Sequence, residues 1–411
     1  MTPTADSPSA LFDPSRHEAV TATPWDEGAA RESIRRIADA AQSAFDAGNG
    51  CWTPHPLDDE QTPPAHHHHL YWGAAGVIWA LRHLAAQGAI ELRIDFDATI
   101  AALPERAAAA AAQELHGSAS YLFGHGGALL LRWKATGASA SADALYEVVR
   151  GNLDNPTLEA LWGSPGTLIA AIHMAEATGE ARWVDLVREG VGGLLDQMIV
   201  DPETGTWVWE QDLYGRRSRM LGAGHGFVGN VYPAFRAAPM LDAETLSTVG
   251  QRALQTLQAT ALRDGDGLNW HPMIDAARVA GRIPLVHDCH GAPGVICRLS
   301  GAPRDAGWDA LLRGAGELVW RAGPLATKGA SLCHGTPGSA MACLKLWRRF
   351  GEEEWLHRGR ALAMHSVELV ERHRARYGMG RHSLWTGDLG VACLLWEALR
   401  GEARFPTLDV F

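Results

Sequence analysis

Cysteine is scarce in this chain of 411 residues, which contains only six. So low a count cannot build the dense disulfide framework of small secreted domains, and we expect reduced thiols. No apolar run reaches the ~18 residues that a membrane span needs, and the first residues show no basic-then-apolar signal pattern. We therefore expect a cytoplasmic protein without a membrane span.

Positive charge is also in short supply, with 36 Lys and Arg against 47 Asp and Glu, for a net charge of -11. This balance argues against a nucleic-acid binder, which needs basic surfaces. Hydrophobic residues make up 46% of the chain, enough for a large core. The abundant residue is glycine: 45 glycines are well above the usual ~7%. The excess is either low-complexity sequence or a repeated backbone requirement.

The glycines show an internal repeat of seven G-x-x-G pairs, each followed by an apolar stretch. The pairs are Gly73/Gly76, Gly124/Gly127, Gly163/Gly166, Gly226/Gly229, Gly291/Gly294, Gly335/Gly338 and Gly387/Gly390. The apolar stretches are rich in Ala and Leu and predict helices, with amphipathic helices such as 178–199 and 352–372 between them. Two helices per repeat predict an all-α fold, an α/α toroid with seven inner and seven outer helices and the glycine turns at one rim.

The domain boundaries follow from the position of the first pair. We expect residues 1–69 to form an N-terminal extension, partly disordered and then helical, with a loosely ordered Pro-, Ala- and Ser-rich start at 1–30. The toroid would occupy 70–411. Four consecutive histidines at 66–69 are interpreted as a solvated loop, and the alternation at 206–210 predicts a short strand.

Aligning the repeats on their first glycine reveals a metal-ligand pattern. Cys289 and Cys333 lie two residues before that glycine in successive repeats, and His334 follows the second of them. Two thiols and an imidazole suit Zn²⁺ and leave a fourth position open for water or substrate. The alternative is a pair of buried cysteines beside hydrogen-bonded histidines. The remaining helical cysteines, Cys297, Cys343 and Cys393, are predicted to be core residues.

Three motifs carry a resemblance to a known family. They are G-H-G-F-V-G at 224–229, C-H-G-A-P-G at 289–294 and C-H-G-T-P-G at 333–338. Together with the glycine pairs, they resemble the LanC superfamily of lanthionine synthetase cyclases, and more specifically the eukaryotic-type LanC-like proteins. Lys328 and Glu159 match family positions, as does the ending A-R-F-P at 403–406. The resemblance covers roughly residues 70–411.

The resemblance implies an α/α toroid with zinc at one rim, held by Cys289, Cys333 and His334. It also implies a zinc-dependent enzyme that adds glutathione to dehydroalanine or dehydrobutyrine in peptides or proteins, forming a thioether by Michael addition. The expected partners are therefore glutathione or another thiol and a dehydroamino-acid peptide or protein. We expect no nucleic-acid partner, and we expect a monomer.

Four side chains have candidate roles in this chemistry. His225 matches the catalytic histidine of the family, and its place at a helix N-terminus predicts a depressed pKa and a neutral resting state. His290 is either a second acid or a support for the neighbouring zinc ligand. Glu159 orients a histidine, contacts a substrate amine or forms a core ion pair. Lys328 is a candidate for binding a glutathione carboxylate or offsetting charge at the metal.

Three departures from the family pattern leave the substrate open. Asp288 stands where a Trp usually precedes the first zinc cysteine, Thr386 stands where a Glu is usual, and bacterial cyclases have a Tyr at the position of His290. The alternatives are a stand-alone lanthipeptide cyclase and a non-catalytic zinc-containing scaffold that binds a peptide or glutathione. A toroidal glycosidase ranks last, because it needs paired carboxylates at the rim.

Overall fold

The computed structural model describes residues 10–59, 65–111, 119–213 and 215–411. Within these residues, seven inner helices follow the seven glycine pairs. They are α2 (Ala74–Ala86), α4 (Gly126–Thr136), α6 (Ser164–Thr178), α8 (Phe227–Arg236), α11 (Ala292–Leu299), α13 (Thr336–Phe350) and α15 (Asp388–Arg400). Each packs against the next and α15 packs against α2, so the inner layer is a closed ring. Their surfaces are buried nearly all round, as in α6, where Ser164–Ala175 are all buried.

Seven outer helices complete the repeats that the structure describes. They are α1 (Glu27–Ser43), α3 (Asp97–Ala111), α5 (Ser139–Gly151), α7 (Ala181–Asp196), α9 (Ala243–Thr260), α12 (Ala306–Ala322) and α14 (Glu353–Tyr377). Each has one buried stripe and one polar face, the pattern of a helix that covers a core. Aspartate side chains cap three of them, as when Asp242 accepts the backbone N–H of Thr245 at 2.7 Å.

The longer intervals between glycine pairs hold three antiparallel hairpins. They pair β1 (Ile199–Val200) with β2 (Trp207–Val208), β3 (Gln211–Leu213) with β4 (Arg216–Ser218), and β5 (Leu262–Asp264) with β6 (Gly267–Asn269). A single helical turn, α10 (Ala276–Val279), follows β6. The strand predicted within 206–210 is confirmed as β2.

The glycine pairs have a steric cause that is the same in every repeat. The second glycine lies in the first turn of its inner helix, against the carbonyl oxygen of the residue six positions earlier. A Cβ on Gly294 would overlap the carbonyl oxygen of Asp288, and one on Gly338 would overlap that of Leu332. Gly226 and Gly291 also have φ values of 148° and 119°, which favour glycine. The glycine excess is therefore a repeated backbone requirement.

A ring of backbone hydrogen bonds ties the repeats together at this rim. The links join residues two positions before the first glycine: Tyr71 N–H to Leu122 O, Trp385 to Tyr71, Cys333 to Trp385, Cys289 to Cys333 and Gly224 to Cys289, all at 3.0–3.1 Å. Equivalent positions in neighbouring repeats are therefore neighbours in space, as the alignment predicts. The all-α toroid with seven inner and seven outer helices is confirmed.

The N-terminal region differs from the expectation of a loosely ordered start. Residues 1–9 lie outside the described residues, but Arg16 O accepts the N–H of Ala326 at 3.0 Å and Glu18 bonds to His365 at 2.8 Å. α1 packs against α15, so an outer helix already lies inside the segment assigned to the extension. Tertiary contacts, which local composition does not report, hold this segment in place.

The solvated-loop interpretation of the four histidines is wrong for two of them. His68 and His69 are buried, and burial lowers the pKa of both, to about 4 for His68. His67 bonds to Asp59 at 3.0 Å. The four histidines immediately precede α2 and form a turn that packs against the protein, although their side chains are polar.

Within the described residues, no helix is long and apolar enough to cross a membrane.

Candidate functional site

Cys289, Cys333 and His334 converge at the glycine rim. Their ligand atoms all lie within 4.8 Å of one another. Cys333 is buried, while Cys289 and His334 are partly exposed. The closed ring brings the two cysteines together because the Cys289 N–H donates to Cys333 O at 3.0 Å. The cluster therefore presents two sulfurs and an imidazole at a surface that solvent reaches.

The two thiols interact directly. The interaction between the two sulfurs lowers the pKa of Cys333 well below its usual range and raises that of Cys289. Tyr71 lines the same cavity and also lowers the pKa of Cys333, while burial raises the pKa of Tyr71. Two adjacent buried thiolates repel each other unless a cation lies between them. Zn²⁺ fits this donor set, since thiolate and imidazole are its preferred ligands in proteins.

His225 lies beside this cluster and is held by Glu159. Its Nδ1 is 2.9 Å from a carboxylate oxygen of Glu159, which is fully buried. The same carboxylate accepts the backbone N–H of Leu161 at 3.1 Å and that of Trp162. The preceding Leu158 has a φ of 42°, a strained value for a branched side chain. Of the roles left open for Glu159, the geometry places the carboxylate where it orients a histidine.

The predicted direction of the His225 pKa is wrong. Burial opposes the charged form, but the hydrogen bond and the negative charge of Glu159 outweigh it and raise the pKa of His225 above its ordinary 6.5. The helix N-terminus disfavours an imidazolium, yet a carboxylate in direct contact is closer and carries a full charge. His225 therefore holds its proton more strongly than a free histidine does.

His290 stacks beside His225, with ring centroids 5.7 Å apart and planes inclined by 25°. Burial, and then the charge of His225, lower the pKa of His290 to about 4. Its Nδ1 is buried and has no hydrogen-bond partner among the described atoms. His290 is therefore a neutral ring at pH 7, next to the metal-ligand cluster and packed against the other histidine.

Lys328 is not part of the cluster, and its side chain is exposed. The pKa of the nearby His287 is lowered to about 2, first by burial and then by the positive charges of His334 and Arg16. The charge of Lys328 makes a smaller contribution in the same direction. Arg16 approaches the His287 Nε2 to 3.5 Å, and the rings of His287 and His334 are 6.1 Å apart. Arg16 thus places a cation beside His287, and Lys328 is near enough to contribute to the lowering of the His287 pKa.

Three features of the site were not predicted from the sequence: Tyr71, Arg16 and the partner of Asp288. Tyr71 occupies the same repeat position as the two cysteines, and this equivalence could have predicted that it lies near them. Asp288 and Arg298 form a buried pair behind Cys289, with two hydrogen bonds of 2.6 and 3.2 Å. This pair gives the buried Asp288 carboxylate a charged partner. Cys297, Cys343 and Cys393 are buried as predicted.

Comparisons with known proteins agree with this architecture. A family model described as lanthionine synthetase C-like protein matches residues 26–410. The Glutathione S-transferase LANCL1 of Danio rerio is 27% identical over 265 residues, which are 61% of this chain and 62% of that protein. The LanC-like protein GCL1 of Arabidopsis thaliana is 29% identical over 138 residues, 31% of each chain. The chain thus spans less than two thirds of the length of these relatives.

A solved structure extends the similarity to the whole fold. Nisin cyclase has a TM-score of 0.64 with this chain at 15% identity, covering 93% of this chain and 98% of its own. At that identity the likeness concerns the fold. The family model, by contrast, spans nearly the whole sequence, including every glycine pair and the cysteine and histidine positions of the rim. The chain therefore belongs to the lanthionine synthetase C-like family.

Proposed function

We propose that the protein is a zinc-dependent enzyme that adds a thiol, glutathione in the first instance, to dehydroalanine or dehydrobutyrine residues of peptides or proteins. The observation that carries the proposal is the partly exposed cluster of Cys289, Cys333 and His334 beside the Glu159–His225 pair. Three protein ligands leave a fourth position for a substrate. When bound, zinc lowers the pKa of a thiol so that its thiolate is available near neutral pH.

His225 moves the proton of the reaction. Because Nδ1 faces the Glu159 carboxylate, Nδ1 carries a proton and Nε2 has a lone pair free in the neutral ring. Nε2 takes the proton of the incoming thiol, and the thiol sulfur forms a bond to the β-carbon of the dehydroamino acid. The double-bond electrons become an enolate, which His225 then protonates at the α-carbon. The raised pKa of His225 supports its action as the acid in the final step.

The residues around His225 orient its ring and bind the thiol substrate. Glu159 holds the His225 ring and stabilises the imidazolium that forms. The two cations on the His287 side, Lys328 and Arg16, suit the carboxylates of glutathione. His290, with its pKa of about 4, supports the metal-ligand loop and His225 instead of acting as an acid. The free cysteines suit a reducing compartment, and we propose that the protein works in the cytoplasm.

The test combines metal analysis with an adduct assay. Zinc-loaded protein incubated with glutathione and a dehydroalanine peptide should bind one zinc per chain and give a product heavier by one glutathione. Formation of a ring in a dehydrated, cysteine-containing peptide without added thiol would instead identify a stand-alone cyclase. Peptide or glutathione binding without any product would identify a scaffold. Absence of bound zinc would overturn the proposal.

A further inference from the structure

An aromatic surface lies on the rim beside the metal-ligand cluster. Trp72, Phe123 and Trp162, called here the aromatic face, each stand one residue before the first glycine of repeats one to three. The rings of Trp72 and Phe123 meet edge to face at 5.2 Å, and those of Phe123 and Trp162 stack at 5.0 Å with planes 18° apart. Trp72 and Phe123 remain partly exposed.

The aromatic face has the same orientation as the reactive histidines. In repeats four to six the same position is occupied by His225, His290 and His334, all partly exposed. Residues one position earlier mostly turn inward, as Tyr71 and Cys333 do. Since the repeats form one closed ring, the repeat position that leaves the three histidines partly exposed also leaves Trp72 and Phe123 partly exposed, whereas Trp162 is buried beneath them.

Tyr71 makes the two surfaces continuous. Its ring lies 5.2 Å from that of Trp72 and 4.6 Å from that of Phe123, and Tyr71 lines the same cavity as Cys333. Tyr71 therefore lies between the aromatic face and the candidate metal ligand Cys333.

The positive charges near the site lie beside residues of repeats five and six, whereas the aromatic face belongs to repeats one to three. Lys328 and Arg16 approach the site next to His287 and His334, whereas the aromatic face is built from neutral rings. A polar thiol with two carboxylates, such as glutathione, suits the cationic side. The aromatic side is left for the other reactant, because large flat rings contribute most when they bury apolar area.

We infer that the aromatic face binds a large apolar or aromatic side chain next to the dehydroamino acid of the acceptor peptide, and so sets substrate preference. This inference rests on the proposed thiol addition. It identifies the acceptor as a peptide in which a bulky apolar residue adjoins dehydroalanine or dehydrobutyrine. A stacked aromatic contact that polar residues cannot replace is expected to give about tenfold discrimination in kcat/KM.

The test compares two acceptor peptides that differ at one position, with Phe or Ser next to dehydroalanine, at fixed glutathione and with zinc-loaded protein. We expect kcat/KM to be about tenfold higher for the Phe peptide. Trp72→Ala should bring the ratio below about threefold without loss of bound zinc. Phe123→Leu, a milder change, should lower the ratio in the same direction. Trp133→Ala is the matched control, because this partly buried Trp lies in the last turns of α4, away from the rim.

The outcomes separate the inference from the reaction on which it rests. Equal kcat/KM for the two peptides, with adduct formed from both, would overturn the inference and leave thiol addition intact. So would a preference for Phe that Trp72→Ala and Phe123→Leu leave unchanged in folded, zinc-loaded protein. A ratio that Trp133→Ala lowers equally would assign the effect to general destabilisation and also overturn it. No adduct with either peptide would overturn both the reaction and the inference.

Discussion

Replacing Glu159 with glutamine should nearly abolish turnover while leaving the fold and metal intact. The carboxylate accepts from His225 Nδ1 at 2.9 Å and from two backbone N–H groups, those of Leu161 and Trp162. In the Glu159→Gln protein, the amide would keep its carbonyl oxygen at the Oε1 position, on the Trp162 N–H, and place its NH₂ at the Oε2 position, towards His225, at the cost of the hydrogen bond from the Leu161 N–H. That NH₂ donates to Nδ1, so the ring proton moves to Nε2, which then cannot accept the thiol proton.

The size of the effect follows from the role of His225. A positioned general base contributes about 10²–10⁴ in rate, and a histidine held in the wrong tautomer loses most of that contribution. We therefore expect kcat/KM for glutathione addition to fall by at least about 100-fold, or about 2.7 kcal/mol in transition-state free energy. The alkaline shift that Glu159 confers on the His225 pKa should also disappear from the pH–rate profile.

The assay is the mass-spectrometric adduct assay, run from pH 6 to 9 with bound zinc measured in parallel. Glu147→Gln on the exposed face of α5 is the matched control, because it makes the same chemical change away from the rim. A Glu159→Gln protein with normal zinc and thermal stability that keeps more than a third of wild-type kcat/KM would refute the assigned role of His225.

Three further predictions concern the metal, the core and pH. Cys289→Ala should remove most of the bound zinc and all adduct formation; retained stoichiometric zinc would contradict the ligand set. Arg298→Met leaves Asp288 buried without its partner and should lower the free energy of unfolding by about 3–5 kcal/mol, and a urea-unfolding loss below about 1 kcal/mol would contradict it. Burial, and then the charge of Arg236, hold the pKa of His173 at about 3, against 6.5 ordinarily. Stability from this neutral histidine is therefore present above pH 6.5 and lost as the pH falls, by about 2 kcal/mol between pH 7 and pH 5. His173→Gln should reduce the acid-induced loss by that amount, and an unchanged pH dependence would rule it out.

Much of the fold was predictable because one steric requirement recurs seven times. Gly294 in G-A-P-G and Gly390 in G-D-L-G differ in sequence context, but each packs against a carbonyl oxygen six residues earlier. Because this constraint acts within a few residues, it produces the fixed G-x-x-G spacing, which is visible in the sequence alone. The alignment it provides placed Cys289 and Cys333 in equivalent positions, and the closed ring then makes equivalent positions adjacent.

Other features depended on side chains that meet from distant parts of the chain. Glu159 and His225 are 66 residues apart and belong to different repeats, so three roles for Glu159 stayed open. The direction of the His225 pKa was wrong for the same reason, since the helix N-terminus is a local signal and the carboxylate is not. His68 and His69 resembled a solvated loop because burial is decided by what packs over a residue.

By itself, the sequence determined the all-α class, the seven repeats, the rim position of the glycine turns and the three candidate zinc ligands. These properties follow from backbone sterics and repeat register, which are local and periodic. Only the tertiary structure decided that Glu159 raises the pKa of His225, that Tyr71 lies between Cys333 and the aromatic face, and that Arg298 pairs with Asp288 next to the candidate metal ligands. Each depends on an electrostatic or packing contact across repeats, and such contacts exist only once the ring has closed.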